Sequence, residues 1–143
     1  MVMRTLGSLA IGFLVFASGA WAQAKTTKKE PVTDGKTLSQ WVADLKAAAP
    51  QVRNAAAYEI AGLGPEAAPA VPALIKALDD PDPSVRFPVT VALREIGPAA
   101  GAAVPRLKKM VDDEINNEVA AGAKRALKQI KPEALSQESS GQE

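Results

Sequence analysis

The chain has 143 residues, with 17 Lys and Arg against 16 Asp and Glu, and neither His nor Cys. Without those two residues there is no Ser-His or Cys-His dyad, no histidine- or thiolate-held metal and no disulfide, so packing alone must hold the fold. The near-neutral balance also argues against a nucleic-acid footprint, which needs a basic excess on one face.

In chain order, residues 1–22 have the three-part layout of a secretory signal. Met1-Val2-Met3-Arg4 carries one positive charge, Thr5 to Gly19 has none, and Ala20-Trp21-Ala22 places small residues where a signal peptidase reads. Cleavage is expected before Gln23, with a second register before Lys25. The alternative is an uncleaved N-terminal membrane anchor, but the apolar run is short of the roughly 20 residues that span a bilayer. Removing Arg4 with the signal leaves the mature chain formally neutral. Residues 23–36, with Lys25, Lys28 and Lys29, hold too few apolar side chains to order themselves and read as a polar tether.

Six helices are expected next. The first opens at Thr37, with Gln40 completing a capping box, and carries Leu38, Trp41, Val42 and Leu45 on one face. The second spans about Gln51 to Ala61, turns Val52, Ala56, Ile60 and Leu63 inward, and stops at Gly64-Pro65. The third runs from about Ala68 to Leu78, with Pro69 and Pro72 in its first turn and Val71, Leu74, Ile75 and Leu78 as its stripe. Asp82-Pro83-Ser84 starts the fourth and Gly97-Pro98 ends it. Pro88 lies inside that helix, where a lost amide and a crowded carbonyl predict a kink or a late start. The fifth covers about Ala102 to Val111. The sixth carries Val119, Ala123, Ala126, Leu127 and Ile130, stops at Pro132, and leaves 133–143 as a disordered tail.

These helices repeat. Residues 52–80 superimpose on 85–113 at an offset of 33, with 12 of 29 positions identical, and the sixth helix follows at an offset of 34. Such a period implies stacked helix pairs: an all-α, short α-α superhelix of about six helices, made of a half unit, two full units and a closing half unit over 37–132. Alanines at 55–57, 67–68 and 102–103 suit close backbone approach between the layers.

Val-Arg near a helix start, Gly-Pro at its end, Ala-Val-Pro-x-Leu opening the next helix and Asp-Asp before the turn resemble HEAT repeats, in the bacterial variety found in exported proteins. The resemblance implies a ladder in which an Asp six residues before an Arg helps tie successive units. Asp80 and Arg86 have that spacing. Arg53 lacks its Asp, with Ala47 in the place, and Asp113 lacks its Arg, with Ala120 there. Structural roles are therefore expected for Arg53, Asp80, Arg86 and Asp113, in preference to phosphate binding by the arginines. The Asp79-Asp80 and Asp112-Asp113 pairs read as caps rather than a hard-cation site.

Enzymatic relatives fit poorly. The di-iron site of deoxyhypusine hydroxylase needs His-Glu pairs, HEAT-like DNA glycosylases need a basic face, and bilin lyases are longer; a bilin-lyase-like accessory is the least favoured reading. Gly62-Leu63-Gly64-Pro65 is a helix stop and not a phosphate loop. No catalytic residue, cofactor or metal is expected. The reading is a non-catalytic exported scaffold that binds an unidentified protein, without nucleic acid. The resemblance places the second helix of each pair on the inner surface, where Lys76 and Lys109 would form a basic row with Arg106 and Met110 as the partner contact. The alternative is a structural, self-associating spacer of the cell envelope, with the ends of the stack or an exposed Trp41 as the interface.

Overall fold

The computed structural model describes residues 29–136. A two-stranded hairpin, β1 (Val32–Thr33) and β2 (Lys36–Thr37), leads into α1 (Leu38–Asp44). α2 (Pro50–Gly62), α4 (Pro83–Ile96) and α6 (Asn117–Ile130) form one layer. α1, α3 (Val71–Ala77) and α5 (Val104–Asp113) form the other, and the short α7 (Glu133–Ser136) closes the chain. The fold is the expected all-α stack of helix pairs.

Local chemistry sets each start. Thr37 accepts from the Gln40 amide while the Gln40 side chain accepts from Thr37 N, a complete capping box. Asp82 caps α4 through Ser84 N, and Asn116 caps α6 through Glu118 N and Val119 N. α2 and α4 pass into the next helix through 3₁₀ turns, 64–70 and 97–103, rather than stopping and restarting as α-helix at 68 and 102. Gly64 and Gly97 have φ of 55° and 73°, a left-handed geometry that glycine takes without strain. The prolines that follow, with Pro69, withhold the amides that an α-helical turn would use. α3 and α5 therefore begin three and two residues later than expected, at Val71 and Val104.

The core is a continuous apolar seam between the layers, including Ile60, Leu74, Leu78, Val85, Leu93, Leu107, Val119 and Leu127. Each fully buried aliphatic side chain contributes about 1.5–3 kcal/mol. Val52 departs from expectation. It is 40% exposed, whereas its repeat equivalents Val85 and Val119 are 0% and 1% exposed. The half unit supplies only a second-layer helix, so α2 has no first-layer neighbour on its N-terminal side.

Within the first layer α2 packs extensively on α4, and α4 on α6. Ala56 and Ala57 are buried on α2. On α6 the approach is closer still: a Cβ built at Gly122 would lie 2.3 Å from Thr90 Oγ1. Thr90 is buried and satisfied by donating to Phe87 O at 2.7 Å. Pro88 neither breaks nor delays α4, which is helical from Pro83 to Ile96. The acceptor it leaves unpaired is Ser84 O, and Asn54 of the preceding unit donates its side-chain amide there at 2.5 Å. The neighbouring repeat thus compensates the proline.

Elements outside the repeat cover part of each end of the stack. The tether expected over 23–36 is folded in its last part: Asp34-Gly35 makes the two-residue turn, with φ of 44° and 74°, that joins β1 to β2. Trp41 is buried beneath this hairpin and donates to Thr33 O at 3.1 Å, so it is not an exposed anchor. Thr33 Oγ1 bonds Glu59, and Lys36 pairs with Asp44 at 2.7 Å while lying 4.3 Å from the Trp41 ring centroid. At the other end α7 extends the fold past Pro132 and buries Ala134, so order continues beyond the expected boundary. The expected signal over 1–22 and the last seven residues lie outside the described residues.

Candidate functional site

Two surfaces carry repeated polar residues: the turns between units and the outer face of the second layer. In the turns, Arg53 lays its fork on Asp80, with Nε to Oδ2 at 2.7 Å and Nη2 to Oδ1 at 2.9 Å. Its Nη1 donates to Ala47 O and Ala48 O, carbonyls at the end of the preceding half unit. Arg86 repeats the device with Glu114, at 2.9 and 2.8 Å, and with Asp80 O and Pro81 O. Each arginine therefore joins the turn before its helix to a carboxylate one unit later. Bidentate geometry makes these the strong class of ion pair.

Asp113, expected in the ladder, is not the partner of Arg86. It pairs instead with Lys109 on the surface, at 2.7 Å. The cause is the extra residue in the last turn: at an offset of 34, Asp80 corresponds to Glu114 and the capping Asp82 to Asn116. Burial pushes the Asp80 carboxyl up, but bonds from Arg53 and the Asp82 amide, with the charges of Arg53 and Arg86, hold it below the usual Asp range. The Arg86 hydrogen bond does the same for Glu114, against a smaller burial penalty. Both arginines are committed to the scaffold.

The expected basic row on the second layer is dismantled. Met110 is 1% exposed and belongs to the core; it is the repeat equivalent of the buried Ala77. Arg106 Nε and Nη2 both donate to Asp79 Oδ1, tying α5 to the end of α3. Lys109 is occupied by Asp113. Lys76 is exposed and has no hydrogen-bond or ion-pair partner among the described residues.

Lys76 lines a trough of about 520 Å³ between α1 and α3, with Val42, Leu45, Lys46, Pro69, Pro72, Ala73, Ala77, Asp79 and Asp80. Past Val42 and Pro69 it continues into a second hollow of about 360 Å³, reaching Leu38, Ser39, Glu66 and the segment Lys29-Glu30-Pro31. Glu30 is fixed there by the Ser39 hydroxyl at 2.6 Å, which lowers its carboxyl. The trough exists because second-layer helices meet their neighbours chiefly through the 3₁₀ turns, α1 against 64–70 and α3 against 97–103. Sequence reasoning placed Lys76 on this surface but missed Lys46, just past the C-cap of α1.

Among the described residues no three His, Cys, Asp or Glu side chains are placed to hold a metal ion, and no helix is long and apolar enough to cross a membrane. Comparison with curated proteins finds no match. The family model for HEAT repeats matches residues 38–128, from the first residue of α1 into the last turn of α6. HEAT repeats generally mediate protein interactions as scaffolds and are typically non-catalytic. The helix pairs, the inter-unit arginines and this match agree, and the chain belongs to the HEAT-repeat family.

Proposed function

We propose that the protein is a non-catalytic interaction module working outside the cytoplasm, periplasmic or secreted, that docks a segment of another protein on its second helix layer. The observation that carries this reading is the continuous trough along α1 and α3, whose floor is apolar and whose lysines are unspent. The arginines are spent in the ladder, and the hollow of about 370 Å³ on the first layer, between α2, α4 and α6, is lined by no cation, so the trough is the hollow that offers apolar surface beside free lysines. Of the expected contact residues, Lys76 remains available, while Arg106 and Lys109 are neutralised by aspartates. Export rests on the three-part pattern of residues 1–22.

The spacer reading relied on apolar surface at the two ends of the stack. The hairpin over Trp41 and the seat of Ala134 cover much of it, which favours the module. The test is capture: the protein as bait against envelope and secreted fractions, with recovered material sized by light scattering. A stoichiometric partner on a monomeric bait supports the module. A bait recovered alone as a stable oligomer supports the spacer instead.

A further inference from the structure

The two grooves of the second layer differ by one substituted bridge. Between α3 and α5, Arg106 reaches back to Asp79 and spans the groove. The equivalent positions one unit earlier, between α1 and α3, are Ala73 and Lys46. Both residues line the trough, so the earlier groove has a small residue where the later one has a guanidinium, and a cation where the later one has a carboxylate.

The electrostatics follow. Asp80 is held by Arg53 and the Asp82 amide, and Asp79 by Arg106, so the two carboxylates at the end of the trough are already neutralised. Lys46 and Lys76 have no partner among the described residues. Two free cations thus flank an apolar floor of Val42, Leu45, Pro72 and Ala73. A groove that binds through main chain or shape alone would not need them; charge complementarity selects an anion, and the floor selects apolar side chains beside it.

Resting on the module reading, we propose that the α1/α3 trough binds an acidic, apolar peptide segment of a partner protein. Its carboxylates pair with Lys46 and Lys76, and its apolar side chains cover Val42 and Leu45. The α3/α5 groove, closed by the Arg106–Asp79 bridge, does not bind it.

The full chain is titrated against a fluorescein-labelled peptide of about nine alternating Glu and Leu residues, read by anisotropy, beside a peptide with Gln for Glu. Saturable binding is expected, with the Gln peptide weaker by about ten-fold or more, the loss of two charge pairs. The double variant Lys46→Asp, Ala73→Arg rebuilds the later bridge in the earlier groove. It should melt at or above the wild-type temperature and lose at least about ten-fold in affinity, as should Lys46→Glu, Lys76→Glu. Unchanged affinity in the rebuilt-bridge variant, equal binding of the Gln peptide, or no binding at about 1 mM protein overturns the proposal. So does binding to anionic phospholipid vesicles without peptide binding, which would assign the lysines to a lipid surface. A partner captured equally by wild type and by Lys46→Glu, Lys76→Glu would keep the module and discard this trough.

Discussion

The two layers of this short stack are built from the same 33-residue unit but do opposite things with it. In the first layer, small residues let α4 and α6 approach until no side chain fits at Gly122. In the second, proline-rich 3₁₀ turns carry the contact and leave α1 and α3 apart, with open volume between them. Stability and recognition are thereby separated by layer. Whether a residue faces the seam between the layers or the outer side of the second layer decides whether its loss unfolds the protein or only frees its partner.

Breaking the comparison at its strongest point means a cavity in the first layer. Leu93→Ala should cost about 3 kcal/mol in urea unfolding, since Leu93 is fully buried, whereas Val42→Ala in the trough should cost below about 1 kcal/mol. Overpacking comes next. Gly122→Ala should cost about 2 kcal/mol by driving a methyl into Thr90 Oγ1. Adding Thr90→Ala should restore part of that loss; a double variant no better than the single would show the close approach to be misjudged.

The ladder gives a comparable effect that depends on pH. Asp80→Asn should cost about 2 kcal/mol near neutral pH, because Arg53 keeps its charge without its partner. The folded-state carboxyls of Asp80 and Glu114 are depressed. Their stabilisation is therefore full above the unfolded carboxylate range, about pH 4, and is lost as the pH falls through the lower folded values. Asp80→Asn and Glu114→Gln should each flatten acid unfolding followed by circular dichroism; an unaltered acid limb would mean the pairs contribute nothing. Smallest of all, Lys46→Glu, Lys76→Glu should shift stability by no more than about 0.5 kcal/mol, because both side chains are without partners.

Much of the scaffold was legible because the repeat carries it. The offset of 33 located the helices, and Thr37 with Gln40 marked the first cap. Three misses were also written in the sequence. Asp34-Gly35 between β-branched Val32-Thr33 and Thr37 is a hairpin signal set in a run with few apolar side chains. Applying the offset of 34 to the acid as well as to the helix would have named Glu114 in place of Asp113. Met110 aligns with buried Ala77, so the repeat itself argued for core. Other features had no local signal. The Asn54 bond that relieves Pro88 depends on which helix lies alongside, and Val52 is exposed because its layer begins there. The trough needed three dimensions: Lys46 and Ala73 are 27 residues apart and meaningful only as the absent counterpart of Asp79 and Arg106.

Chemical-shift mapping of the full chain with the Glu-Leu peptide tests the division of labour most directly. The account predicts perturbations at Val42, Leu45, Lys46, Ala73, Lys76 and Ala77, with the first-layer residues Tyr58, Phe87 and Glu118 unmoved. Perturbations centred on the α2/α4/α6 face, with the trough silent, would contradict it.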